Sequence, residues 1–357
     1  MNDTDGRNMS RLAWMVRALL AACFVFCIEI LLWIAPVASP SADRVGREWW
    51  QWGIVIAGSV ALAGLALDLA ARYRVRGVFG VLALAGMVAM LYGTLISPDW
   101  SLVETPRTLF TRVVGAQALI SFAAWALFLS LTIGILKRGS RALVLIGIAA
   151  LAFGWGGWAR WAVYADDPAS FNVTPEISLT APITALIGMA VLAALWIAYR
   201  RMAAANRPLT GTGAVVERGA ALKLSPLGLV ITLAGLALLA ILQLARGALD
   251  TITLTIALSL AGLCWAILYF QARKKGISLA DVVLVGVTDP PVYWLIAGVL
   301  FVVVGAVTHQ LARGHGTSDP AEWWGLIFTA FGFVWLPAAA LVLGGQAFGR
   351  RARALRL

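Results

Sequence analysis

The feature that most constrains this chain is a series of ten long apolar segments, each nearly free of charge. A transmembrane α-helix needs about 20 consecutive apolar residues, and each segment approaches or exceeds that length. The sequence therefore predicts an all-α, polytopic integral membrane protein with about ten transmembrane helices and short loops. The predicted spans cover residues 14–35, 52–71, 78–97, 113–136, 142–159, 178–199, 226–245, 251–270, 292–311 and 324–346.

Composition excludes a water-soluble fold of this size. Of the 357 residues, 61% are hydrophobic and 13% are charged, whereas soluble domains carry about 25% charged residues. The net charge of +11 comes from short basic clusters between the apolar segments, not from a continuous basic stripe. Such clusters set membrane topology and attract anionic headgroups. The lipid bilayer is therefore the expected partner, and no nucleic acid is expected.

The distribution of charge predicts the orientation of the spans. With the N-terminus inside, the cytoplasmic segments hold 21 of the 28 Lys and Arg residues, and the outer loops hold ten of the 17 Asp and Glu residues. This bias follows the positive-inside rule. We expect both termini in the cytoplasm, and we expect the bacterial inner membrane as the location.

Two cytoplasmic stretches depart from simple turns. Residues 200–225 form the longest linker and divide one transmembrane domain, 1–357, into sub-bundles of six helices (1–199) and four helices (226–357). Residues 276–291 are too short to cross a bilayer. In that stretch Ser278 and Asp281 suit the cap and first turn of a short helix, which we expect to lie on the cytoplasmic face.

Glu29 is the clearest ionisable residue within a predicted span. A charged side chain at the centre of a transmembrane helix costs about 2.5–3.5 kcal/mol on insertion scales. Glu29 is therefore a candidate proton or cation site, or a partner for a cation on another helix. The alternative is a carboxyl group that reaches water at the outer surface, or a neutral, hydrogen-bonded one.

A tryptophan-rich stretch at one outer helix end is the second candidate site. Its members are Trp155, Trp158, Arg160, Trp161, Asp166 and Asp167. One interpretation is an aromatic platform for a ligand, with Arg160 facing an anionic or planar group. The alternative is an interfacial aromatic belt with a snorkelling arginine.

The remaining polar residues of the spans have structural explanations. Asp68 precedes Arg72 by four residues, which is the spacing of a helical ion pair. Gln117 and Gln243 are expected to bond neighbouring helices rather than ligands.

No motif predicts a cofactor, a metal site or a catalytic residue. The only histidines, His309 and His315, lie near an outer loop without Cys or Glu partners at ligand spacing. The three cysteines all lie in apolar segments, so a disulfide framework is not expected.

These features favour a non-catalytic, membrane-embedded component of a transport system. We expect a permease-type subunit energised by a separate ATPase, because the chain has no ATPase motif of its own. Segments 200–225 and 276–291 are the expected docking surfaces. The alternatives are a secondary transporter, which needs a coupling site such as Glu29 and broken helices, and a structural or assembly subunit of a larger membrane complex. A further alternative is a membrane enzyme for lipid-linked substrates at the outer face, with Asp43, Glu48, Asp166 and Asp167 as available acids.

The topology can be tested with reporter fusions. Reporters placed after Arg141, Arg207 and Lys275 should report cytoplasm, and reporters near Asp167 and His315 should report the outer side, because the basic clusters stay inside. Paired phosphatase and fluorescent-protein fusions measure this. An outer-side signal from the 200–225 linker would contradict the ten-span arrangement.

Overall fold

The computed structural model describes residues 3–33, 49–102, 105–134, 138–161, 180–205, 218–271, 278–284, 291–312 and 319–354. Throughout these ranges the regular structure is helical. The helices are α1 (Asp3–Phe24), π1 (Val25–Leu32), α2 (Trp49–Arg72), α3 (Gly77–Leu91), π2 (Tyr92–Ile96), α4 (Pro98–Ser101), π3 (Leu109–Gln117), α5 (Ala118–Ile133), α6 (Arg138–Trp161), α7 (Thr180–Ala205), a 3₁₀ turn (Arg218–Leu222), α8 (Pro226–Ala245), α9 (Thr251–Gln271), α10 (Leu279–Val283), α11 (Pro291–Leu311) and α12 (Asp319–Ala354). The three π-helices continue α1, continue α3 and lead into α5.

Ten helices in the described part of the chain are long and apolar enough to cross a membrane. Each overlaps one of the spans predicted from the sequence, which confirms the all-α fold class with ten candidate spans. The side on which the termini lie stays a prediction from the charge distribution.

The helix ends gather at two opposite ends of the bundle. At one end, Trp155 of α6 reaches the carbonyl of Leu31 and Gln243 of α8 reaches that of Leu95. At the other end, Arg17 of α1 reaches the carbonyl of Leu222. We call these the Glu29 end and the Asp68 end after the acidic residue buried near each.

The centre of the bundle lies in its first half. α1, α2, α3 and α5 supply most of the fully buried side chains, whereas the later spans face outward along much of their length. Trp125 is fully buried and packs edge-to-face with Phe24 and Phe128, at ring-centre distances of 6.2 and 5.7 Å. Because lipid tails are as apolar as leucine, such packing contributes to helix association in a bilayer.

Two glycines let α12 cross π3 at close range. A Cβ atom added at Gly332 would lie 3.1 Å from the Cα of Gly115, and one added at Gly115 would overlap the carbonyl of Phe328. Beside this crossing, Trp335 lies over Gly86 and its indole donates to the carbonyl of Val114 at 2.8 Å. Small residues at the crossing thus bring the last helix of the chain against the helices near Glu29.

The predicted short cytoplasmic helix is present as α10, with its cap. Ser278 is the N-cap, and its side chain and that of Asp281 form a reciprocal capping box. Ala280 and Val283 are fully buried, and α10 packs against α2 and the 3₁₀ turn. Its position on the cytoplasmic face stays a prediction.

Hydrogen bonds explain why α10 is held in the bundle. The amide of Leu279 donates to the carbonyl of Val75 at 3.0 Å, and the amide of Gly219 donates to Asp281 at 2.9 Å. Burial raises the pKa of Asp281, but the hydrogen bonds from Ser278 and Gly219 and the charge of Arg74 outweigh it, so the pKa lies below its usual value. Asp281 therefore ties α10 to the turn as a carboxylate.

The helix crossing at Gly115 predicts a selective loss of stability. Gly115→Ala should lower the free energy of unfolding by about 1–3 kcal/mol, the usual cost of overpacking, because its methyl group overlaps the Phe328 carbonyl. Gly235→Ala in α8 is the matched control, since nothing lies within 4 Å of its added Cβ. Thermal unfolding in detergent measures both. Equal stability of the two variants would contradict the close crossing.

Candidate functional site: a buried carboxyl among three π-helices

Glu29 lies in π1 and is fully buried by protein. The hydroxyl of Ser97 donates a hydrogen bond to its Oε1 atom at 2.6 Å. Ser97 is itself buried and follows directly after π2. One short hydrogen bond therefore joins the ends of two spans through residues that are 68 positions apart in the chain.

Three π-helical segments surround this contact in the described part of the chain. π1 contains Glu29, π2 leads into Ser97, and π3 contacts π1. π-helical turns are rare and are frequently found at functional sites. Their wider turn aims side chains and carbonyls in directions that a regular α-helix does not provide. The grouping of three such segments marks this end of the bundle as the candidate site.

Further polar side chains extend the site from Ser97. Gln117 of π3 is fully buried, and its Nε2 donates to the hydroxyl of Ser101 at 3.0 Å. The amide of Ser101 donates to the carbonyl of Ser97 at 3.1 Å. A Cβ atom at Gly93 would overlap Oε1 of Gln117, so glycine makes room for this amide.

Two arginines and an aspartate form the rim of the site. Arg112 donates to the carbonyl of Trp100 at 2.9 Å, and its guanidinium lies 5.9 Å from the ring centre of Trp33. Arg246 pairs with Asp99 at 3.3 Å, and both side chains are partly exposed. Exposed ion pairs contribute little to stability. The rim is therefore polar and charged, whereas Glu29 and Ser97 lie buried beneath it.

The tryptophans of the second candidate site pack against π1. The indole of Trp155 donates to the carbonyl of Leu31 at 3.1 Å, and that of Trp158 donates to the carbonyl of Leu32 at 2.9 Å. Trp155 also packs on Phe301 at a ring-centre distance of 5.4 Å and is nearly buried. These two side chains hold the end of the helix that carries Glu29, a role that neither sequence interpretation included.

The other members of the tryptophan-rich stretch are Arg160, Trp161, Asp166 and Asp167. Arg160 and Trp161 are the last two residues of α6, and their side chains lie outside the described part of the structure. Asp166 and Asp167 lie outside the described residues altogether, as do Asp43 and Glu48. A ligand role for the stretch, and an enzymatic role for these acids, stay predictions.

The expectations for the other polar residues of the spans are confirmed. Asp68 accepts from Arg72 at 2.5 Å, as the helical spacing predicted. It also accepts from the amide of Leu224 at 2.6 Å, a contact that only the fold reveals. Gln117 and Gln243 both bond neighbouring segments. His309 lies in the last turn of α11 and is buried.

Sequence reasoning missed Ser97 and Ser101 as parts of the site. Serines are frequent at helix ends, and nothing in their spacing pointed to Glu29. The available signal was the Ser97-Pro98 pair, which ends a span and begins a new helical turn.

Comparison with protein-family models, with curated proteins and with solved structures finds no match to this chain.

The contacts of Trp155 and Trp158 predict a measurable stability difference. Trp155→Phe and Trp158→Phe each leave a carbonyl at the end of π1 without its donor, and an unsatisfied buried polar group costs about 1–3 kcal/mol. We expect both variants to unfold at lower temperature in detergent. The control is Trp323→Phe, because Trp323 is 65% exposed. If all three variants unfold like the wild type, the two indoles do not hold π1.

Proposed function

We propose that this protein is a membrane-embedded component of a transport system in which Glu29 takes up and releases a proton. The observation that carries the proposal is the buried carboxyl of Glu29, hydrogen-bonded to Ser97 where three π-helical segments meet. A scaffold subunit needs no ionisable group in its core, so the site favours transport over a purely structural role.

The chemistry of the site suits proton exchange. Burial disfavours the charged form of a carboxyl, whereas a hydroxyl that donates to it favours that form. The π-helical turns around Glu29 change the helical pitch there, and such turns are frequently found at functional sites.

The packing also bears on the source of energy. A separate ATPase was expected to dock on segments 200–225 and 276–291. Within the described residues 218–225 and 278–284, the residues buried at the Asp68 end include Gly219, Leu222, Ala280 and Val283. Exposed side chains in the described parts include Arg201 and Lys223. We propose a proton gradient acting through Glu29 as the source of energy, with an ATPase partner as the alternative.

Infrared difference spectroscopy tests this function without a known substrate. The probe is the proton itself. Spectra of the protein in liposomes are taken at low and high pH, and a protonated carboxyl is seen by its C=O stretching band. We expect a band in the wild type that is missing in Glu29→Gln, because the amide keeps the shape and much of the hydrogen bonding but does not titrate. Repeating the titration in sodium and in choline shows whether an alkali cation competes with the proton.

Glu29→Leu is the second variant. It removes both the carboxyl and its desolvation cost, so an incidental carboxyl predicts a variant that is at least as stable as the wild type in detergent. A carboxyl integrated with Ser97 predicts a less stable one. If no carboxyl band disappears in either Glu29 variant, the proposed proton site is wrong. A Leu variant as stable as the wild type would then show that the carboxyl has no structural role either.

A further inference from the structure

α8 is a peripheral helix with two buried residues. Of its residues, all of which the structure describes, Leu236 and Gln243 are buried. Much of the rest is exposed and apolar, as expected for a surface that faces lipid. A buried amide on such a helix is therefore unusual, and it lies in the last turn, at the Glu29 end.

Gln243 is bonded to the segment that carries Ser97. Its Nε2 atom donates to the carbonyl of Leu95 at 3.0 Å. Leu95 belongs to π2 and lies two residues before Ser97. Carbonyls at the end of a helix have no partner within the helix, and in a bilayer each needs one inside the protein. Gln243 supplies that partner.

Arg246 contacts the oxygen of the Gln243 amide. Its Nη1 donates to Oε1 of Gln243 at 3.4 Å, which turns the amide nitrogen toward Leu95. Its Nη2 lies 3.3 Å from Oδ2 of Asp99. Asp99 belongs to α4, which begins directly after Ser97. α8 and its C-cap residue Arg246 therefore contact the chain on both sides of Ser97, at Leu95 before it and at Asp99 after it.

We propose that Gln243 is a positioning residue for Glu29. Its hydrogen bond to the carbonyl of Leu95 fixes the end of π2, and this holds Ser97 where its hydroxyl reaches the carboxyl. This inference rests on the proposed proton site, since it concerns what the geometry around that site controls. An amide that served only to attach α8 would affect stability and leave the Glu29–Ser97 hydrogen bond unchanged.

The same infrared measurement tests this role. A carbonyl that loses a hydrogen bond absorbs at higher wavenumber. Ser97→Ala removes the donor directly and should move the Glu29 carboxyl band upward. Gln243→Met keeps the length of the side chain but removes the N–H donor, and it should move the band in the same direction. Leu242→Met is the matched control on the neighbouring, partly exposed residue of α8, and it should leave the band in place.

The outcomes separate this inference from the proposed function. If no band belongs to Glu29, the proton site itself is wrong, whatever Gln243 does. If the band exists and moves in Ser97→Ala but stays in place in Gln243→Met, the proton site stands and the positioning role of Gln243 is overturned. A shift in Gln243→Met without a shift in Leu242→Met supports the role, even where the Met variant is also less stable.

Discussion

A backbone carbonyl within a bilayer has no water to bond with, so it must find a donor inside the protein. This constraint acts most strongly where a helix ends or changes pitch, because the last carbonyls there have no partner in their own helix. Here the donors are long side chains from distant helices. Trp158 donates to the carbonyl of Leu32, Trp335 donates to that of Val114, and Gln243 donates to that of Leu95. Each of these bonds joins segments that are far apart in the chain.

The Glu29 end depends on these bonds. The wide turns of π1, π2 and π3 leave backbone carbonyls that need a hydrogen-bond donor. The helices that supply these donors pack around the Glu29 end of the bundle. Glycines at the crossing points allow the approach, as Gly115 and Gly332 do between π3 and α12. The result is a buried, hydrogen-bonded setting in which a carboxyl group is retained inside the bundle. Indole and amide donors have a further advantage, since they satisfy a carbonyl without placing a charge in the membrane.

Much of the fold could be predicted because it depends on local patterns. The ten spans, the cap of α10 at Ser278 and the ion pair of Asp68 with Arg72 each follow from composition or short spacing. The candidate site could be predicted only in part. Glu29 stood out because a carboxyl in a span is costly. Its partner Ser97 did not, because a serine at a helix end is ordinary. Trp155 was assigned to an interface or a ligand, since an indole has the same sequence signal in a belt as in a core.

By itself, then, the sequence determined that the chain forms apolar helices of bilayer length and that the carboxyl of Glu29 lies deep within one of them. Hydropathy and charge are properties of single segments, so they can be read without knowing which segments meet. Only the tertiary structure decided that α10 packs into the bundle and that three π-helical segments converge on Glu29. It also decided that Gln243 of a peripheral helix holds the chain beside Ser97. These are contacts between residues distant in sequence, and their geometry depends on how helices pack, which no local pattern encodes.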